Sequence, residues 1–197
     1  MPQWEFAGLD QYVRLFNNPR WHVAVDNLLI FLILFILIAL VLGLLLAIFL
    51  DQKIRNEGVI RTIYLYPMAI SFIVTGTAWK WILNPGLGIE KLVNDLGFVG
   101  FEFRWLVESD MAIYTIVIAA VWQSSGFVMA LFLAGLRGVD DNLTKAAKID
   151  GASTFRLYWH IILPLMRPVF FSAIVILTHI AIRSEERRVG KECRSRW

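Results

Sequence analysis

Apolar residues along this chain gather into long uninterrupted runs, and these runs predict the architecture before any motif is considered. Leu28 to Leu50 is 23 residues without a charged or strongly polar side chain. At about 1.5 Å per residue, a helix of that length crosses the roughly 30 Å hydrocarbon layer of a bilayer. Arg20 and Asp26 precede the run and no small-residue cleavage site follows it, so it reads as a retained span and not as a secretory signal. A second span is predicted over 63–83, interrupted by Pro67 and carrying Lys80 between Trp79 and Trp81. Tryptophan prefers the headgroup level and a lysine can snorkel to it, which makes that end interfacial. Positions 111–136 give a third span, uncharged over 26 residues. A fourth is placed at about 165–182, but its apolar stretch from Val169 to Ile182 is only 14 residues, roughly 21 Å of helix and short of a full crossing. The fold class expected is all-α, a polytopic integral-membrane helical bundle.

Charge in the connectors orients these spans, because Lys and Arg accumulate on the cytoplasmic side. The loop from Asp51 to Thr62 holds Lys53, Arg55 and Arg61, and the stretch from Arg137 to Arg167 holds Arg137, Lys145, Lys148, Arg156 and Arg167. Both are predicted inside. The loop from Asn84 to Asp110 sets Lys91 and Arg104 against Glu90, Asp95, Glu102, Glu108 and Asp110, and is predicted outside. Residues 1–27 then fall outside with no upstream segment to carry them there, so a helix is expected before Met1. Residues 183–197 place Arg183, Arg187, Arg188, Lys191, Arg194 and Arg196 outside, against the same rule. This tail reads as a non-native sequence and is set apart from the functional unit, residues 1–182.

Composition narrows the classes further. The chain is 58% hydrophobic and 18% charged, richer in apolar residues than soluble domains. Its net charge of +3 lies between apolar runs and not on an aromatic-studded basic face, which argues against nucleic acid. One cysteine, Cys193, excludes an intrachain disulfide framework and a cysteine metal cluster. No G-x-x-x-x-G-K-[ST] phosphate loop and no His and carboxylate cluster occurs, so neither nucleotide hydrolysis nor a metal or cofactor is assigned to the chain.

The connector at 140–164 carries the strongest functional signal. It predicts two short helices joined by a turn. Asp140 or Asp141 caps the first, Ala146, Ala147 and Lys148 propagate it, and Asp150-Gly151 breaks it, with Gly151 supplying a positive φ. Ser153 or Asp150 caps the second, through Phe155, Leu157 and Tyr158, and Pro164 and Pro168 end it. The small residues Ala146, Ala147, Gly151 and Ala152 leave room for another protein surface.

The spacing Ala146-Ala147, two residues, Asp150-Gly151, nine residues, Ile161, one residue, Leu163-Pro164 resembles the EAA loop of permease subunits of bacterial ABC importers. GLDQY at Gly8–Tyr12, NPGLG at Asn84–Gly88 and WQSSGFVMALFLAGL at Trp122–Leu136 are similar to the carbohydrate-uptake branch, the maltose and glycerol-phosphate permeases. The resemblance covers residues 4–182. It implies a type I importer permease fold of about six helices, of which this chain, truncated at both ends, would hold the middle part. It also implies alternating access in a multi-pass protein of the bacterial inner membrane, importing a sugar such as an oligosaccharide or glucoside. The partners implied are a dimer of cytoplasmic ATP-binding subunits, a second permease subunit and an extracytoplasmic substrate-binding protein, with ATP hydrolysis left to the separate ATPase. The coupling residues carried over are Ala146, Ala147, Asp150, Gly151, Ala152, Ile161, Leu163 and Pro164. The family loop opens with glutamate where this chain has Lys145, which inverts one charge at the docking surface.

Substrate contacts are less defined. Gln123, Ser124 and Ser125 lie deep in the third span, where their polar groups must face protein or a water-filled path, and sugar hydroxyls would suit them. Helix-to-helix hydrogen bonding is an equal reading of the same residues, and for Ser71, Thr75, Gly76 and Thr77 packing is the favoured one. A membrane scaffold that anchors a cytoplasmic partner without transport is the alternative function.

Overall fold

The computed structural model describes residues 8–52, 57–97, 100–103, 105, 108 and 111–194, with the side chains of Asp141 and of 183–194 excepted. Lys53, Arg55, Arg104 and Asp110, used above to orient the spans, and the side chains of the 183–197 tail lie outside the described residues. The described elements are all helical. They run α1 (Asp10–Phe16), α2 (Pro19–Asp51), α3 (Glu57–Ala69), α4 (Phe72–Ile82), α5 (Ile89–Asp95), α6 (Ala112–Arg137), α7 (Asp141–Ile149), α8 (Thr154–Leu157), a π-helical turn (Tyr158–Ile162), α9 (Leu163–Leu165) and α10 (Arg167–Arg194).

Two helices, α2 and α6, are long and apolar enough to cross a membrane alone. The 33 residues of α2 are capped by Asn18, whose side chain accepts from the Arg20 N–H, and Pro19 takes the first position, where its missing N–H costs nothing. One stripe of α2 is buried, Phe31, Phe35, Ala39, Gly43, Ala47 and Leu50, at the near-four-residue repeat of one helix face. That stripe packs against α6. Of its most apolar stretch 56% is buried in the protein for α6, against 22% for α2, so α6 is the central helix and α2 a peripheral one.

Close approaches fix how α6 meets its neighbours. A Cβ at Gly126 would fall 1.9 Å from the Tyr64 carbonyl oxygen of α3, and one at Gly43 would fall 2.5 Å from Val128 Cγ1. A Cβ at Gly135 would lie 3.0 Å from Val169 Cγ2 of α10. Small residues at such crossings let backbones approach where hydrophobic driving force between helices is weak.

The second span, expected over 63–83 with an interruption at Pro67, is a sharply bent helix pair. Glu57–Ala69 and Phe72–Ile82 meet at 101° across a short break. Pro67 lacks the N–H that would bond one turn back, and the Ile70 N–H closes a tight turn onto the Pro67 carbonyl. Ser71 is extended and its hydroxyl accepts from the Ile73 N–H at 3.4 Å, which starts α4 in a new direction. The fourth expected span, placed at about 165–182, falls on a helix that starts at Arg167, and Thr154–Leu165 meets Arg167–Ile182 at 65°. The helix does not stop at Ile182 but runs on to Arg194. The described residues thus hold two unbroken candidate spans, or up to four if each bent pair counts as one.

Candidate functional site

The connector between α6 and α10 folds as the helical elbow its sequence predicts. Asp140 is the N-cap of α7, its carboxylate accepting from the Asn142 N–H at 2.8 Å. The alternative cap, the side chain of Asp141, lies outside the described residues. The helix ends with Asp150 as C-cap and Gly151 at φ +77°. There the Ala152 N–H bonds the Ala147 carbonyl and the Gly151 N–H bonds the Lys148 carbonyl, both within 3.1 Å. This crossed pair satisfies carbonyls that the helix end leaves open, and it requires the left-handed backbone that glycine supplies. Nothing lies within 4 Å of a Cβ built at Gly151, so conformation and not space demands the glycine. Ser153 then caps α8 through the Arg156 N–H at 3.4 Å.

The elbow has a buried side and an exposed side. Leu157, Ile162 and Met166 are buried at 3%, 6% and 1% exposure and join the core that α6 and α2 share, with Ala147 beside them. Leu157 and Ile162 are five residues apart, a spacing that an α-helix would rotate away from one face. The π turn at Tyr158–Ile162 closes its hydrogen bonds over five residues, winds less per residue than an α-helix and keeps both inward. On the outer side Ile149 is 86%, Phe155 76% and Trp159 60% exposed, and the last two rings stack at 6.1 Å with planes 7° apart. Of the sequence-predicted coupling residues, Ala146, Asp150 and Gly151 are exposed, Ala147 is buried, and Ala152, Ile161, Leu163 and Pro164 are half-buried. Ile149, Phe155 and Trp159 were not among them. The signal available was three large apolar side chains in a connector charged enough to face water.

A polar tie holds the elbow's underside to the end of α2, the Tyr158 hydroxyl donating to Asp51 Oδ2 at 3.3 Å, while Arg137 at the end of α6 pairs with Glu57 at the start of α3 at 2.6 Å. Burial, and then the neighbouring Asp51 charge that accepts its proton, push the Tyr158 phenol above its ordinary value. Beside these two contacts is a cavity of about 340 Å³ lined in part by Asp51, Arg137, Thr144, Lys148 and Tyr158.

The second candidate group lies within the helices. Gln123, at 4% exposure, donates from Nε2 to the Ile70 carbonyl at 2.9 Å and so occupies the backbone group freed at the α3–α4 break. Gln123 and Ser124 line a cavity of about 210 Å³ with Thr75, Gly76, Phe31 and Phe35, whose rings stack at 5.5 Å. Ser125 is buried but donates to the Trp122 carbonyl of its own helix at 3.3 Å. The Thr75 hydroxyl is 4% exposed as a residue and has no hydrogen-bond partner among the described residues, an orphan buried group in the wall of this cavity.

Residues 39–183 match the family described as the binding-protein-dependent transport system inner membrane component. The chain belongs to this family. It is 39% identical over 185 residues to a probable ABC transporter permease protein of Pyrococcus horikoshii, covering 93% of this chain and 63% of that protein. It is 38% identical over 184 residues to the xylose/arabinose import permease protein XacH of Haloferax volcanii, covering 93% of this chain and 57% of that one. The chain thus spans about three fifths of the length of these relatives. Its fold is similar to that of a bacterial ABC transporter involved in import of the acidic polysaccharide alginate, with a TM-score of 0.78 at 22% identity over 87% of this chain and 60% of the other. Both bent helix pairs, the central α6 and the elbow belong to the family-matched region, which ends at residue 183.

Proposed function

We propose that this chain is the transmembrane permease subunit of an ATP-driven, binding-protein-dependent importer, multi-pass in the cell membrane, and that its elbow at 140–164 docks a cytoplasmic ATP-binding subunit. The single observation that carries the reading is the two-sided elbow. Leu157, Ile162 and Met166 root it in the helix core, while Ile149, Phe155 and Trp159 point an aromatic and aliphatic face outward. Large aromatic side chains supply much of the energy at protein interfaces, and a rigid footing passes their displacement on to α6 and α10. ATP closure of the partner subunits would thereby tilt the helices between inward-open and outward-open states, with Gly151 setting the shape of the elbow and no chemistry performed in this chain. A second permease subunit completes the pathway and an extracytoplasmic protein delivers substrate. The transmembrane unit is residues 1–182 in this reading, and 183–197 take no part.

Sugar is the proposed cargo. The relative XacH is named for xylose and arabinose import, and the cavity beside Gln123, Ser124 and Thr75 combines hydroxyl and amide groups with phenylalanine rings, the mixture that a sugar's polar rim and apolar face would meet. The test uses the full-length permease assembled with its partner subunits in membrane vesicles. Phe155→Asp combined with Trp159→Asp is expected to reduce ATP-dependent sugar uptake at least ~10-fold, as loss of an aromatic anchor does, with unchanged insertion. Undiminished uptake would overturn the docking role. ATPase binding without uptake of any sugar would make the chain an anchoring scaffold and overturn transport.

A further inference from the structure

At the end of α6 opposite the elbow, the connector between α4 and α6 folds into a small platform with one apolar face. Gly88 is the N-cap of helix α5, and a Cβ there would fall 1.9 Å from the Ile82 carbonyl oxygen and 2.8 Å from that of Trp81. The start of α5 is therefore held at the level of α4's last turn. That turn carries Lys80 and Trp81, the latter 71% exposed, the pairing that marks a headgroup level.

Glu90 and Asn94 occupy one face of α5 and pin the returning chain to it. Asn94 Nδ2 donates to the Phe101 carbonyl at 3.1 Å, and its Oδ1 accepts from the Gly100 and Phe101 N–H groups. Glu90 Oε2 accepts from the Phe103 N–H at 3.1 Å. Two residues on from each, roughly 200° around the helix, stand Leu92 and Leu96. They are 61% and 72% exposed, and Leu87 just ahead of the helix is 77% exposed. Lys91 and Asp95 flank this leucine face. In the returning chain, pinned to the opposite face, Phe101, Phe103 and Trp105 form a row of packed rings, 6.4 and 5.0 Å between centroids.

We propose that α5 lies in the bilayer surface, with Leu87, Leu92 and Leu96 dipped among the acyl chains at headgroup depth and Lys91 reaching lipid phosphate. The occupant is lipid and not a soluble protein for two reasons. The face is aliphatic and continuous with α4's Lys80–Trp81 level, and leucine is under-represented among the residues that anchor protein partners. Its polar side is already committed to holding the returning chain, so the element is a preformed amphipathic float. The inference needs only the family's residence in a membrane, and its failure would leave the importer reading untouched.

The test places an environment-sensitive fluorophore on single cysteines substituted at Leu92, Leu96 and Ile149 of the full-length permease, otherwise free of cysteine, in nanodiscs. Lipid bearing a shallow nitroxide and aqueous iodide serve as the two quenchers. Leu92 and Leu96 labels are expected to be quenched by the lipid nitroxide and shielded from iodide about threefold or more relative to Ile149. Should a label within α5 disturb assembly, the same label at Leu87 reads the same surface from outside the helix. Free iodide access at the labelled leucine positions overturns the proposal. So does iodide access that disappears only when the substrate-binding protein is added, which would make this face a protein-docking surface.

Discussion

The two connectors, one at each end of α6, solve the same problem by different means. In the elbow each turn is written locally, by Asp140 two residues from the N–H it accepts, by Gly151 with its crossed pair of backbone bonds, and by Ser153 three residues from its partner. In the α5 platform the shape is held across the chain, by Asn94 over six and seven residues and by Glu90 over thirteen. Their outward faces differ as well, Phe155 and Trp159 with Ile149 on the elbow and three leucines on the platform. An aromatic face on a locally stiffened turn suits force transmitted between proteins, whereas an aliphatic face on a strapped-down helix suits a fluid partner that needs no register.

The largest expected effect comes from forcing the elbow's turn. Gly151→Val places a β-branched residue at φ +77°, where nothing but backbone conformation resists it. The substitution should uncouple transport, lowering ATP-dependent uptake ~10-fold or more in vesicles through strain of at least about 1–2 kcal/mol while insertion is kept. Equal uptake by Gly151→Val and the wild type would mean that the turn does not set coupling. Asn94→Ala should act at the other end only. Loss of three exposed hydrogen bonds loosens 100–103 by about 1–2 kcal/mol, seen as faster amide exchange there with exchange in the elbow unchanged.

How far this comparison could be read from the sequence follows from the range of the interactions. The turn at Gly151 was legible, and the caps at Asp140 and Ser153 were legible to within one alternative each, because a cap involves residues within a turn of each other. The runs of α2 and α6 were legible because length and hydropathy suffice. The 101° break was not, since a proline alone is compatible with a kinked span, and what stabilises the break is Gln123 donating from α6 to the Ile70 carbonyl 53 positions away. The π turn was hidden for a related reason. It exists so that Leu157 and Ile162 share one buried face, and burial depends on α6 and α2. The straps from Glu90 and Asn94 pair side chains with backbone, which leaves no residue pattern to find. Gln123 itself was open between substrate and structure in the sequence, and the structure gives it a helix partner while leaving it in the wall of a cavity.

A smaller effect should separate the elbow's shape from its tether. Tyr158→Phe removes the hydrogen bond to Asp51, worth roughly 1 kcal/mol or less, and should lower thermal stability slightly without uncoupling transport. The pH dependence has a defined sign. Because the folded-state pKa of Tyr158 is raised, its contribution is complete below the ordinary phenol value of 10.0 and is lost as pH rises through the raised value. Thermal unfolding across that alkaline window should show a step in the wild type that is absent in Tyr158→Phe.

Photo-crosslinking tests the central claim most directly. A photoreactive phenylalanine analogue is placed at Phe155 or at Leu92 of the full-length permease assembled with its partners in native membranes. The account predicts a crosslink to the ATP-binding subunit from position 155 and none to it from position 92. A crosslink to that subunit from 92, or its absence from 155 in a complex that still transports, would contradict the assignment of the elbow as the docking surface.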